Sequence, residues 1–302
     1  MRRAVIDIGS NTLLLLIAEP AATGELRAVL DWCRFGRLGQ GVDHGKRLHP
    51  DAIARSLDIC REFRAAIDGH GVARVDVIAT QALREATNAD DFRGPAAAIL
   101  GAPIAIISGE REAELAFRSA AHSLPALRGT RFVVADVGGG STEVIVGDGD
   151  RLVSATSVPI GAVRMTERHL ASDPPTAAER AALFADIDAA LAPLALPDGV
   201  VLVASAGTAT TLAALALATP YDPERVHGHR LTRAALDRLT ADLLAAPVDQ
   251  RRAMIGMQAQ RADVIAGGAA IFARLAERLA APAIVVSDRG IRWGLAYESP
   301  TA

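Results

Sequence analysis

Two short stretches bring carboxylates, glycines and hydroxyls together at spacings that can do chemistry. Asp136-Val137-Gly138-Gly139-Gly140-Ser141-Thr142-Glu143 follows the apolar run 133–135 and leads into Val144-Ile145-Val146. Asp136 ends the first run and Glu143 opens the second, so both carboxylates sit beside the turn. Successive glycines let the backbone take φ > 0 and approach a ligand, because no Cβ intervenes. Their N–H groups can then converge on a phosphate. Anion donors flanked by two carboxylates suit a divalent cation that bridges protein and phosphate oxygens. Asp7-Ile8-Gly9-Ser10-Asn11-Thr12 lies between the apolar residues Val5-Ile6 and 13–17 and repeats the pattern. One copy reads equally well as a tight turn with a capping Asp. Two copies, one near the start of each half, point to a duplicated architecture with a phosphate clamped between two lobes.

Other polar segments could join this chemistry. Thr80-Gln81-Ala82-Leu83-Arg84-Glu85-Ala86-Thr87-Asn88 opens at the carboxyl end of an expected strand, where α/β folds place ligands. Arg84 there is either an anion-gripping fork or a surface helix residue. Ser108-Gly109-Glu110-Arg111-Glu112-Ala113-Glu114 reads as a helix start with Ser108 as N-cap. Its three glutamates are either solvated first-turn acids suited to the helix dipole, or include one that takes a proton from water. Ser205-Ala206-Gly207-Thr208 is a small-residue turn that serves either ligand approach or close helix–strand packing. The loop 34–41, with Arg34, Arg37 and three glycines, reads as a solvated connector, with proximity to a phosphate as the lesser alternative. His227 and His229 read as loop residues rather than metal ligands.

The elements that must position these groups follow from periodicity and punctuation. Strands are expected at 4–8, 13–18, 25–32, 75–79 and 104–107, with a helix over 50–68. The order recurs in the second half, with strands near 131–137, 143–147, 152–157, 200–205 and 283–287 and a helix over 177–191. A terminal helix covers 291–297. Leu124-Pro125-Ala126-Leu127-Arg128-Gly129 marks the expected boundary. It separates a first lobe at 1–124 from a second at 125–302, and a helix at about 289–302 would pack back on the first.

Bulk properties agree with two domains in 302 residues, half of them hydrophobic. With 32 basic and 35 acidic residues, the net charge of −3 argues against a broad nucleic-acid surface. No stretch approaches a membrane span. Arg2 and Arg3 precede an apolar run, but Asp7, Ser10 and Asn11 interrupt it, so it is not read as a signal peptide. Cys33 and Cys60 lack metal-ligand spacing, and free thiols in a reducing cytosol are expected. The protein is therefore expected to be cytoplasmic.

The ordered set of motifs resembles the exopolyphosphatase / guanosine pentaphosphate phosphatase family of the actin-like phosphotransferase superfamily. The residues carrying the resemblance are 7–12, 84–88, 107–113, 136–143, Arg261-Ala262-Asp263 and Ser287-Asp288, which lie in order and span almost the whole chain. It implies an α/β fold of two duplicated actin-like (ribonuclease H-like) lobes, each a mixed five-stranded sheet with flanking helices, and a cleft between them. It also implies release of terminal orthophosphate from inorganic polyphosphate. Glu112 would be the general base on water, and Arg84 would neutralise charge on the phosphate. Asp136 and Glu143, with Asp7 as a further contributor, would hold Mg²⁺ or another divalent cation. Ser10, Asn11, Thr12, Gly138, Gly139, Gly140, Ser141 and Thr142 would cradle the phosphate. If Glu110 faces the reaction instead, the base assignment moves by half a turn.

Larger members carry an added C-terminal helical domain, so the resemblance implies a short two-domain form, and family analogy implies a homodimer. Guanosine pentaphosphate is the alternative substrate, although residues 13–16 lack the arginine that some members carry after the first turn. An ATP-dependent kinase would need an adenosine pocket, hinted at only by Gly207-Thr208, and the chain has no P-loop signature. A non-catalytic sensor of alarmone or polyphosphate would not need Glu112, Asp136 and Glu143.

Overall fold

The structure, a computed structural model, describes residues 1–21 and 25–298. It divides into two compact units, Met1–Leu115 joined by the segment from Ile291, and Ala116–Gly290.

The first unit opens with β1 (Arg3–Ile8), β2 (Leu13–Pro20) and β3 (Leu26–Arg34), followed by α1 (Val42–Gly45) and α2 (Pro50–Gly69). Then come β4 (Arg74–Ala79), α3 (Gln81–Glu85), α4 (Asp90–Leu100), β5 (Ile104–Ile106) and the start of α5 (Gly109–Ser123). The strands lie in the order β3-β2-β1-β4-β5. β1 pairs antiparallel with β2 and parallel with β4. All but the first residue of β1 are buried, because both faces of the sheet are covered. Ala4, Ile6 and Ile8 meet Phe63 and Ile67 of α2 and Phe92 and Leu100 of α4 on one face.

The second unit continues from α5 into β6 (Arg131–Val137), β7 (Thr142–Asp148), β8 (Arg151–Val158), α6 (Ala162–His169) and α7 (Ala177–Leu191). β9 (Val201–Ser205), α8 (Ala206–Ala216), α9 (Pro223–Val226), β10 (Arg230–Thr232) and α10 (Arg233–Ala245) follow. The unit closes with α11 (Val248–Ala253), α12 (Ile265–Arg278) and β11 (Ala283–Val286). The sheet order is β10-β11-β9-β6-β7-β8. Read from β8 to β11, it repeats the first sheet strand for strand, with an antiparallel meander followed by two parallel crossovers. This is the duplicated topology of the actin-like architecture. The second sheet has six strands rather than the expected five. The three-residue β10 adds to β11 as an antiparallel edge, and it is too short to show periodicity.

The terminal helix α13 (Ile291–Ala296) belongs to the first unit. Trp293 and Ala296 cover Val5, Leu16 and Ala18, the face of the sheet opposite α2. Asp31 of β3 anchors it by accepting two hydrogen bonds from Arg292, both 2.9 Å, and one from Trp293 Nε1 at 3.1 Å. The division falls inside α5, upstream of the 124–129 loop. A continuous helix gives no composition change there, and Pro125 and Gly129 mark the end of the helix instead. The expected terminal helix beyond residue 298 lies outside the described residues. Among the described residues no helix is long and apolar enough to cross a membrane. Both cysteines are free.

α13 approaches α5 so closely that a Cβ on Gly294 would lie 1.9 Å from the carbonyl oxygen of Leu115. Gly294→Ala must push backbone against backbone and is expected to cost about 1–3 kcal/mol or more, read as a lower Tm. A Tm equal to wild type would show that α13 does not depend on this contact.

Candidate active site

In the second unit, β6 and β7 set Asp136 directly opposite Glu143. Residues paired across an antiparallel ladder point to the same face, with Cβ atoms about 4.5–5.5 Å apart. Both carboxylates are buried. Like charges so placed in low dielectric are costly unless hydrogen bonds or a cation compensate. Ser157 of β8 donates to Glu143 Oε1 at 2.7 Å, and Ser205 at the end of β9 donates to Asp136 Oδ2 at 3.3 Å.

The bend between the two strands closes through Gly138 N–H donating to Ser141 O at 2.9 Å. Its glycines do not take the left-handed conformation expected of them. A Cβ on Gly138 would lie 3.2 Å from Ser141 O, across the bend. Among the described residues, none accepts a hydrogen bond from the amides of Gly139, Gly140 or Ser141. Three adjacent donors are thus available to an anion. The Thr142 hydroxyl donates instead to Ile160 O at 2.6 Å, bracing the bend.

The first unit builds the same bend after β1. Gly9 N–H donates to Thr12 O at 2.9 Å, and Ser10 and Asn11 are buried. Asp7 holds the place that Asp136 has in the other unit, but its cross-strand partner is Leu14, so the paired carboxylates are not duplicated. The loop 34–41 is not a solvated connector. Gly39 N–H donates to Ser10 O at 2.7 Å and Arg37 N–H to Asn11 O at 3.0 Å. Arg37 takes φ 54 to do so, a conformation that L side chains rarely adopt.

The same unit pairs Arg84 with Glu112. Arg84 Nη1 donates to Glu112 Oε1 and to Ile107 O, both at 2.6 Å. Of the three glutamates in the first turns of α5, Glu112 is buried while Glu110 and Glu114 are exposed. Glu110 is held below the ordinary carboxylate range, first by a hydrogen bond with Ser108 and then by its own backbone N–H. It is a helix-capping acid. Arg111 between them forks onto Glu298 at 2.6 and 2.7 Å and reaches Glu114 at 2.8 Å.

Sequence reasoning missed Ser157 and the role of Ser205, because single serines at strand ends carry no spacing signal. The 205–208 turn has Ala206 at φ 71, a strain of the kind kept where a local backbone path is required. Among the described residues no group of three or more His, Cys, Asp or Glu side chains gathers at a metal-binding arrangement. Two buried, opposed carboxylates still fit Mg²⁺, which takes one or two carboxylates and completes its shell with water and phosphate oxygens.

The Ppx/GppA phosphatase family profile matches residues 16–301. The chain belongs to this family. Exopolyphosphatase 2 of Mycobacterium tuberculosis is 40% identical over 312 aligned positions, covering 98% of this chain and 97% of that protein. The guanosine-5'-triphosphate,3'-diphosphate pyrophosphatase of Vibrio cholerae is 32% identical, covering 98% of this chain but 58% of the relative. The crystal structure of the Aquifex aeolicus Ppx/GppA family member superposes with TM-score 0.83 at 34% identity, covering 98% of this chain and 96% of that one. As a Ppx/GppA phosphatase the chain is a hydrolase acting on phosphoanhydride bonds.

The family motif Ser287-Asp288 is held by a histidine. His227 Nε2 lies 3.0 Å from Ser123 O, and Nδ1 accepts from Asp288 N–H at 3.3 Å. This geometry assigns the proton to Nε2. Burial pushes the imidazole below its ordinary value, and Arg289 adds to the shift. A depressed histidine favours the fold fully above its unfolded pKa of about 6.5 and loses that contribution as pH falls through the folded value. Tm should therefore be flat above about pH 7 and decline below pH 6.5. His227→Asn should decline less steeply, the remainder including His229, which burial shifts the same way. Parallel Tm–pH curves for the two proteins would rule out this role.

Proposed function

We propose that this phosphatase is an exopolyphosphatase that releases terminal orthophosphate from inorganic polyphosphate. The observation that carries the reading is the bend after β6, where three available amides stand beside two opposed, buried carboxylates. Such a turn suits a group that is anionic on all its free oxygens, as a terminal phosphoryl group is. The full-length similarity to a protein named exopolyphosphatase supports inorganic polyphosphate as the substrate.

Phosphoryl transfer asks for positioning and charge stabilisation more than covalent chemistry. The amides of Gly139, Gly140 and Ser141 hold the phosphoryl oxygens, and Ser10, Asn11 and Thr12 supply the equivalent donors of the first unit. Asp136 and Glu143 would hold a divalent cation such as Mg²⁺, and the chemistry it would supply is charge neutralisation on the phosphate oxygens. Glu112 takes a proton from the attacking water as the anhydride P–O bond breaks, and the shortened polyphosphate leaves as the anion. Arg84, paired with Glu112 at 2.6 Å, orients that carboxylate and presents positive charge to the phosphate.

Guanosine pentaphosphate 5'-phosphate hydrolysis is the second reading, favoured by the similarity to the Vibrio cholerae enzyme. The deciding experiment measures orthophosphate release from short polyphosphate, long polyphosphate and guanosine pentaphosphate, each alone and in competition, with Mg²⁺ and with chelator. Polyphosphate is expected to be hydrolysed with the higher kcat/KM, and chelator to abolish release. Preference for the nucleotide would establish the second reading. Glu112→Gln is expected to lower kcat at least about 100-fold with little change in KM, the usual weight of general-base help. A variant that turns over at the wild-type rate removes Glu112 from the mechanism.

A further inference from the structure

A bend has carbonyls as well as amides, and it attracts an anion only where its acceptors are turned elsewhere. In the bend after β6 every glycine carbonyl is taken up by the segment that follows β8. Gly138 O accepts from Ala162 N–H at 2.9 Å, and Gly139 O accepts from the amides of Val163 and Arg164 at 2.8 and 3.0 Å. Gly140 O accepts from Arg164 Nε at 2.8 Å. The three backbone donors are the first residues of α6, whose amides have no acceptor within their own helix. The fourth is a buried guanidinium, whose charge strengthens the bond. The approach depends on Gly161, because a Cβ there would lie 2.5 Å from Gly139 O and 2.6 Å from Gly140 C.

We propose that Arg164, with the first turn of α6, is a positioning residue for the phosphate-binding bend: it ties the glycine carbonyls to the α6 side and so leaves the amides of Gly139, Gly140 and Ser141 to the phosphoryl group. The inference rests on the phosphatase reading above. The first unit supports it independently of Arg164. There the carbonyls of Ser10 and Asn11 are taken by Gly39 and Arg37 N–H, from a loop unrelated to α6. Two different local solutions tie back carbonyls of the two bends by another segment, those of Ser10 and Asn11 in the first unit and of Gly138, Gly139 and Gly140 in the second. Packing alone does not require that coincidence.

The test compares wild type, Arg164→Ala and Arg164→Lys in the full chain. It measures KM and kcat on polyphosphate, the Kd of inorganic phosphate by calorimetry with Mg²⁺ present, and Tm. Arg164→Ala is expected to raise KM and the phosphate Kd at least about tenfold, the usual weight of a residue that orients a binding group, with a smaller effect on kcat. Added guanidinium ion should restore part of the loss, and Arg164→Lys should fall between. A folded Arg164→Ala whose KM and phosphate Kd stay within about twofold of wild type overturns the proposal, as does failure of guanidinium to recover either constant. If Arg164→Ala does not fold, Arg164→Lys decides by the same two constants. Wild-type protein that binds phosphate without hydrolysing polyphosphate would defeat the functional reading alone, and the phosphate Kd would still judge Arg164.

Discussion

The backbone of a bend offers acceptors and donors in equal number, and the phosphate binding proposed for this protein depends on separating them. A phosphoryl group is repelled by carbonyl oxygens as strongly as it is drawn to amides. The bend after β6 meets the constraint by lending its carbonyls to the start of α6 and to Arg164. The bend after β1 meets it through the loop at 37–39. Much of each unit serves these arrangements. The antiparallel meander delivers two strand ends to the bend, and the next parallel strand brings Ser205 beside Asp136 in one unit and Thr80 beside Ile8 in the other.

Buried charge is the second constraint. Asp136 and Glu143 face one another across a ladder because the hairpin register fixes them there. Ser157 and Ser205 compensate part of the cost with hydrogen bonds. Glu112 is compensated differently, by the guanidinium of Arg84. The contrast matches the roles assigned above. The serine hydroxyls act as hydrogen-bond donors to the carboxylate pair, whereas the arginine orients its carboxylate as well as stabilising it.

Much of the fold was legible because its elements are short, apolar and clearly punctuated. β1, β6 and α7 came within a residue of their expected bounds, since β-branched runs ending at Asp-x-Gly and a Thr-x-x-Glu capping box are local signals. β10 was not legible, because three residues cannot display a period. The division inside α5 was hidden for the opposite reason: an unbroken helix carries no mark of where one compact unit ends.

For the site, the amino-acid order alone determined which groups exist and which are neighbours along the chain: the two Asp-x-Gly bends, the carboxylates flanking one of them, and a helix start crowded with acids. Those are properties of adjacent residues, and local geometry carries them. Only the tertiary structure buried Glu112 against Arg84 and left Glu110 exposed, because that contact joins residues on separate elements. It alone revealed Ser157, Ser205 and Arg164, and turned the loop at 34–41 from a connector into a clamp. Hydrogen bonds between segments distant in sequence leave no periodicity behind, so they become visible only when the chain has folded.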